Sequence, residues 1–160
     1  MNNIILFYNS KDSAAIELCN LLLFDGLNSI SFIATENRIK ANYKNGIAVF
    51  CSTPPDIIDQ KLPLGTVAVC EPSDKTALQI LAKNRIPAIT AGMSGLDTVT
   101  LSSVSDTCAT VCILRPITDL NGKTIDPCEF TVKLNRALPC RTISIYCAVM
   151  LLIGKTPQCI

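Results

Sequence analysis

The sequence predicts a single α/β domain over residues 1–160, with a mixed sheet that is parallel in its N-terminal half and antiparallel in its C-terminal half. Hydrophobic residues make up 49% of the chain and charged residues 17%, which favours a packed core and excludes disorder. Short apolar runs alternate with helical patterns in the first half. The second half has strands of alternating polarity around an Asn-Gly turn, which is typical of a meander.

The first half contains apolar runs that predict strands, with a helix between the first two. The turn at 9–13 supplies N-cap residues for a helix over 14–24, and Gly26 is expected to end it as a C-cap. The turn Pro54-Pro55 predicts a short helix starting at Ile57. The predicted strands are 3–8, 30–34, 47–51 and 66–70.

A strand-helix-strand unit follows, with a helix over 75–83, Asn84 as its cap and a strand over 86–90. Parallel strands joined by a helical crossover are buried on both faces, which accounts for the nearly continuous apolar runs. The pattern therefore predicts a three-layer, Rossmann-like arrangement with helices on both faces of the sheet.

The second half predicts an antiparallel meander and a final helix. The strands are expected at 98–104, 108–114 and 129–134, and Asn121-Gly122 is a strong hairpin signal. The apolar segment 142–153, closed by Gly154, predicts a last helix that covers the domain.

Composition excludes several classes of protein. The net charge is +1 and the most basic stretch, 38–44, is dilute, so we expect a solvated loop and no nucleic-acid partner. No apolar run reaches the length of a membrane span, so we expect no membrane association. The apolar run 1–8 lacks the basic region of a signal peptide, which favours a cytoplasmic location.

Histidine is absent and cysteine is abundant, which limits the chemistry. Without histidine, Ser-His and Cys-His nucleophile systems are excluded, and acid–base chemistry would need carboxylates, lysines or tyrosines. The nine cysteines show no Cys-x-x-Cys spacing, so no metal site is expected. Most of them lie in apolar runs and are interpreted as small core residues.

The main candidate ligand site is the segment 91–98, which follows a predicted buried parallel strand. Ligands of open α/β sheets gather at the carboxyl ends of the strands, and glycines let the backbone approach a ligand closely. A turn that leads into the meander is the alternative interpretation. The candidate residues are Gly92, Ser94, Gly95, Asp97 and Thr98.

Other strand ends supply further candidates, each of which is also a possible helix cap or solvated residue. Lys11 is able to hold a phosphate as a point charge. The two Gly-Lys-Thr triplets, at 122–124 and 154–156, lack the first glycine of a phosphate loop and lie in the wrong structural context. The further candidates are Ser10, Lys11, Ser52, Glu71 and Asp74.

Residues 67–154 resemble the later part of the central, ATP-binding domain of the peptidoglycan Mur ligases. The likeness rests on the strand and turn 69–74, a helix and a strand ending at Gly92, the segment 130–132 after the hairpin, and an apolar helix ending at Gly154. The family's phosphate loop, its His-Asn pair and room for its C-terminal domain are missing here. The resemblance therefore implies a Mur-ligase-like half-fold kept for binding rather than ATP-driven ligation.

Three functions follow as hypotheses. The first is a non-catalytic or regulatory domain that binds a nucleotide, a UDP-sugar or a protein partner. The second is a small enzyme that acts on a phosphorylated or nucleotide substrate through Asp97, Asp74, Glu71 or Lys11. The third is a structural subunit that packs on a protein partner or forms a homo-oligomer, suggested by the apolar last helix. The sequence identifies no cofactor.

Overall fold

The computed structural model describes residues 2–24, 30–40 and 42–160. Within these ranges, strands and helices first alternate and then give way to a run of strands, so the predicted α/β class is confirmed. The elements of the first part are β1 (Asn2–Tyr8), α1 (Ser13–Phe24), β2 (Ile30–Thr35), β3 (Gly46–Cys51), β4 (Thr66–Cys70), α2 (Lys75–Asn84) and β5 (Ala88–Thr90). Those of the second part are β6 (Val99–Val104), β7 (Cys108–Ile113), β8 (Ile117–Thr118), β9 (Thr124–Ile125), β10 (Cys128–Lys133) and α3 (Cys140–Leu152).

The predicted end of the first helix cannot be compared with the structure, and the end of the second helix differs from the prediction. Gly26, the expected cap of the first helix, lies outside the described residues. At the end of α2, Arg85 is the C-cap in the left-handed region, with φ 53°, and its N–H bonds carbonyls of the last turn. Asn84 is the last helical residue, and its side chain instead reaches the loop before β4. The predicted short helix after the prolines is a 3₁₀ turn, Pro55–Ile57.

The first five strands form one parallel sheet in the order β2-β1-β3-β4-β5. The central strand β3 is buried at all six positions, as a strand covered on both faces must be. Successive side chains point to opposite faces, so Ile4 and Leu6 enter one core while Ile5 and Phe7 enter the other. The parallel half of the predicted sheet is confirmed.

The two faces of the parallel sheet are covered by different helices. Helices α1 and α3 contribute to the core on the Leu6 face. Helix α2 and the 3₁₀ turn cover the other face, where Phe7 and Phe50 stack with ring centres 5.1 Å apart. Each face is therefore sealed by apolar side chains, which leaves the strand ends as the polar part of the sheet.

The antiparallel strands form a separate sheet, so the expectation of one mixed sheet is wrong. The order β10-β7-β6 is the predicted meander, and β8 and β9 form a small ladder of their own around Gly122, whose φ is 83°. An isolated bridge between Ala91 and Val99 is the link between the two larger sheets. The strand β5, which directly precedes this bridge, has three residues.

Helix α3 is internal rather than covering. Every residue from Thr142 to Leu152 is buried, and the helix contacts α1, β3, β4, β6 and β7. A helix that is apolar on all sides is one that is surrounded, and here both sheets and α1 surround it. The segment 142–152 of α3 therefore has no exposed apolar face. Among the described helices, none has both the length and the apolar character of a membrane span.

Candidate functional site

The strand order places a crevice between β1 and β3. The chain leaves β1 toward β2 on one side and leaves β3 toward β4 on the other, so the two following loops diverge. In open parallel sheets, ligands bind at the carboxyl ends of the strands where this divergence occurs. The loops concerned are residues 9–12 and 52–54, and polar side chains of both take part in the cluster described next.

Arg141, in the first turn of α3, is the centre of this cluster. Its Nη2 donates to both carboxylate oxygens of Asp12, at 2.7 and 2.6 Å. Its Nη1 donates to Ser52 Oγ at 3.1 Å and to Glu71 Oε2 at 3.4 Å. The side chain of Arg141 keeps 27% of its exposure, and those of Asp12 and Glu71 keep 21% each. One guanidinium thus joins the ends of β1, β3 and β4 while remaining within reach of solvent.

Ser52 stands in an unusual conformation directly after β3. Its φ of 54° lies in the left-handed region, which non-glycine residues rarely occupy. Its hydroxyl donates a short hydrogen bond to Asp12 Oδ2 while it accepts from Arg141. Strained backbone of this kind persists where the surroundings over-determine it and is concentrated at functional sites.

The two carboxylates on Arg141 have opposite pKa shifts. Burial tends to raise the pKa of Asp12, but hydrogen bonds from Ser52 and Arg141 outweigh it and hold the pKa below its ordinary value. Burial raises the pKa of Glu71, and the charge of Arg141 offsets only part of that effect. Environments that push two neighbouring pKa values apart are a feature of sites that handle protons, although structural ion-pair networks produce them as well.

The carboxylate of Asp74 connects two elements of the fold. Its Oδ1 accepts from the Ala77 N–H at 2.9 Å and so caps α2, as the sequence predicts for this turn. Its Oδ2 accepts from the backbone N–H of Thr53 at 2.9 Å and from the Thr53 hydroxyl at 2.7 Å. Asp74 therefore holds the end of β3 against the start of α2, and these contacts account for both carboxylate oxygens.

These groups border an open cleft of about 410 Å³, called here the carboxyl-edge cleft. Hydroxyls, carboxylates and two cations dominate its walls, and Lys75 forms no ion pair with any described residue. The cleft is lined by Asn9, Ser52, Thr53, Glu71, Ser73, Asp74, Lys75, Thr76 and Arg141. Of the sequence candidates, the structure brings Ser52, Glu71 and Asp74 together here.

Ser10 and Lys11 belong to the neighbouring surface. The Ser10 N–H donates to Glu36 Oε1 at 2.6 Å, and this bond lowers the pKa of Glu36 below its ordinary value. Lys11 lines a second open cleft of about 330 Å³, whose walls include Glu36 and Asp56. Asn9 lines both clefts, so Lys11 lies beside the carboxyl-edge cleft but is not part of its lining.

The segment 91–98 forms a self-contained turn outside the carboxyl-edge cleft. Asp97 is 2% exposed, and its Oδ2 accepts from the Ser94 N–H at 2.9 Å. Its Oδ1 is buried without a hydrogen-bond partner among the described residues. A Cβ at Gly92 would lie 2.6 Å from Asp97 Oδ2, so any other residue here would require the Asp97 carboxylate or the turn to move. Nothing lies within 4 Å of the corresponding position at Gly95.

Thr98 takes part in the hydrogen bonding of the same turn through its backbone N–H. The Thr98 N–H donates to both the carbonyl and the hydroxyl of Thr90, which closes the turn onto β5. Of the four charged residues named for catalysis, Glu71 and Asp74 line the carboxyl-edge cleft, whereas Asp97 and Lys11 do not.

Two residues at the centre of the site, Asp12 and Arg141, were not among the sequence candidates. Asp12 was visible only as part of an N-cap cluster, and its Oδ1 does accept from the Ala14 N–H at 3.0 Å at the start of α1. Arg141 gave no signal beyond being a cation at the start of an apolar helix. Within the described residues, no three side chains of the metal-binding types come together as a cation site.

The buried cysteines have the environment of core residues. Burial raises the pKa values of Cys51, Cys70 and Cys147 to about 12, so their thiols stay protonated near neutral pH.

Comparison with known proteins gives no family for this chain. No family model, curated protein or solved structure matches it.

Proposed function

We propose that this chain is a non-catalytic ligand-binding or regulatory domain, and that its site is the carboxyl-edge cleft. The observation that carries the proposal is the coincidence of two features. The crevice expected from the strand order is the place where Arg141 gathers polar side chains from the ends of β1, β3 and β4.

The chemistry of the cleft favours a small polar ligand of the nucleotide or UDP-sugar type. Hydroxyl and carboxylate groups such as those of Thr53 and Glu71 suit the hydroxyls of a ribose or sugar. Lys75 is the cation of the lining without an ion pair among the described residues, and it begins α2, whose positive dipole end favours a phosphate. The volume of about 410 Å³ falls in the range of small-molecule pockets.

We further propose that the domain is Rossmann-like and related in fold to the Mur ligase central domain. What supports the first point is the strand order and the presence of helices against both faces of the parallel sheet. What supports the second is the element order from β4 to α3, in which a strand, a capped helix and a short strand precede a meander and an apolar helix. Neither point requires catalysis.

A thermal-shift screen against ATP, ADP and UDP-sugars, with and without magnesium, tests the binding proposal. A ligand at about 100 times its dissociation constant adds roughly 2.7 kcal/mol to stability, which gives a clear shift. We expect Lys75→Gln to reduce the shift. Lys133→Gln, which removes an exposed lysine of β10 outside the lining of the cleft, is the matched control and should leave it unchanged. A shift that is equal in both variants, or absent with every ligand, contradicts the proposal.

A second candidate is an enzyme of the same ligand class, favoured by the opposite pKa shifts of Asp12 and Glu71. Glu71 would then exchange a proton with the substrate while Asp12 stays ionised against Arg141. The test is hydrolysis of the ligand found in the screen. Turnover that is lost in Glu71→Gln while binding persists would support this candidate, and no turnover by the wild-type chain would reject it.

A further inference from the structure

Another open cleft lies away from the carboxyl-edge cleft and has a different chemistry. It has a volume of about 620 Å³ and is formed by residues 38–40, after β2, together with residues 59–63, before β4. We call it the basic groove, because Arg38, Lys40 and Lys61 line it. The sequence predicted a solvated loop at 38–44, and the structure shows that two of its cations share a cleft with a third from another loop.

The positive charge of the basic groove is not compensated within the described residues. None of its three cations forms an ion pair there. Asp59, the one carboxylate of the lining, is bound by Lys83 at 2.8 Å. The hydrogen bond from Lys83 lowers the pKa of Asp59, with smaller contributions from the charges of Arg38 and Lys61. The groove therefore presents three cations around a carboxylate that is already neutralised.

Two amide side chains, one of them buried, hold the two walls of the groove together. Gln60 is 2% exposed, and its side chain accepts from the Ile39 N–H and donates to the Ile39 carbonyl, each at 2.9 Å. Asn84 of α2 bonds the Leu62 N–H at 3.0 Å and the Gln60 carbonyl at 2.8 Å. These bonds fix both backbones before any ligand arrives, and such preorganisation lowers the cost of binding.

The floor of the groove is apolar, whereas its rim is charged. Ile39 and Leu62 line the cleft and pack against the core on the α2 face. A ligand that fits this combination has an apolar or aromatic part for the floor and several negative charges for the rim. Phosphate groups suit arginine and lysine better than other anions, since arginine offers a planar fork and lysine a compact charge.

We propose that the basic groove is a second binding site, and that it takes a small phosphorylated molecule with an apolar body, such as a nucleoside triphosphate. Its volume lies within the range of pockets for ligands of that size. The inference uses none of the residues of the carboxyl-edge cleft. It therefore holds or fails independently of the function proposed for that cleft.

Isothermal titration of the full chain with ATP, at low salt, tests this site. The triple variant Arg38→Gln, Lys40→Gln, Lys61→Gln removes three exposed charges and leaves the Gln60 and Asn84 bonds in place. We expect about tenfold weaker binding, the combined effect of three exposed charge interactions. The control removes the same charge elsewhere, by Lys123→Gln, Lys133→Gln and Lys155→Gln, and should bind as the wild type does.

Two further titrations test which part of the ligand is bound and which cleft binds it. Inorganic triphosphate should bind more weakly than ATP if the apolar floor contributes, and equal binding would contradict the apolar part of the proposal. Lys75→Gln, in the carboxyl-edge cleft, should leave binding at the groove intact. No binding of ATP by the wild type, or a loss of binding in Lys75→Gln but not in the triple variant, would overturn the proposal.

Discussion

Arg141 and Asp12, which are 129 positions apart in the chain, form a two-bond contact from Nη2 to both carboxylate oxygens at 2.7 and 2.6 Å. This contact joins the first turn of α3 to the loop that precedes α1. The hydroxyl of Thr142, the next residue, donates to the Ala14 carbonyl at 3.0 Å and strengthens the same junction. The carboxyl-edge cleft is consequently complete only when α3 has docked.

Removing the guanidinium should destabilise the fold as well as the site. Arg141→Met keeps most of the aliphatic chain but leaves Asp12 without its cation. We expect a loss of about 2 kcal/mol, between the values for exposed and for buried ion pairs. Urea denaturation of Arg141→Met, Asp12→Asn and the double variant measures the coupling, which should be about 1 kcal/mol or more. Additive effects would mean that the two side chains do not depend on each other.

The sequence predicted the elements better than the cluster they form. Apolar periodicity places nearly every strand and helix, because burial on one or both faces imposes that pattern locally. The strand order does not follow from it, since no residue pattern indicates that β3 pairs with β1 on the side opposite β2. The Arg141–Asp12 contact depends on that order and on the position of α3, so residue patterns alone could not predict it.

The turn 91–98 is a second place where the residue pattern leaves two interpretations open. Two glycines and a carboxylate after a parallel strand suggest a ligand loop, and they equally suit a tight turn. The short distance from Gly92 to Asp97 gives the glycine a reason within the turn itself, while the ligand-loop interpretation stays a prediction. No pattern in one sequence reports such a distance.

Ionisation of Glu71 should lower the free energy of unfolding as the pH rises, whereas ionisation of Asp12 should raise it. Burial raises the pKa of Glu71 above its ordinary value of 4.5, so the folded state binds its proton more tightly. Stability is therefore lost as the pH rises from 4.5 through the raised pKa, and Glu71→Gln should be more stable than the wild type above that window. The variants should converge below it. Urea midpoints at a series of pH values measure the difference.

Asp12 supplies the matched comparison. Hydrogen bonds from Ser52 and Arg141 outweigh burial and lower its pKa below the ordinary value of 3.8. Its stabilising contribution is present above 3.8 and is lost as the pH falls through the lowered pKa. Asp12→Asn should therefore be less stable than the wild type at neutral pH and approach it in acid. The same sign of pH dependence for both variants would contradict the assigned environments.

Gly92→Ala should destabilise the domain, and Gly95→Ala should not. The new methyl group at position 92 would lie 2.6 Å from Asp97 Oδ2, so the turn must shift. We expect a loss of about 1–3 kcal/mol, as for other overpacked sites. The nearby control, Gly95→Ala, meets nothing within 4 Å. Thermal denaturation distinguishes the two, and equal melting temperatures would show that the turn adapts freely.

Thiol labelling should separate the core cysteines from the surface ones. The thiols of Cys51, Cys70 and Cys147, with pKa values raised to about 12, should react with iodoacetamide only after unfolding. Cys128 and Cys159 are exposed and should be labelled first. Mass spectrometry of digested protein at early times measures the order. Early labelling of Cys51 would mean that the end of β3 opens readily.

If the crevice between β1 and β3 binds a small polar ligand, as proposed above, the backbone amides around it should respond to that ligand. The most direct measurement is a titration of the isotope-labelled chain with ADP and with a UDP-sugar, followed through backbone amide shifts. The account predicts that amides of Thr53, Ser73 and Thr76 move together and saturate, and that Lys75→Gln weakens the effect. Amide shifts confined to other surfaces, or no saturable shift at millimolar ligand, would contradict it.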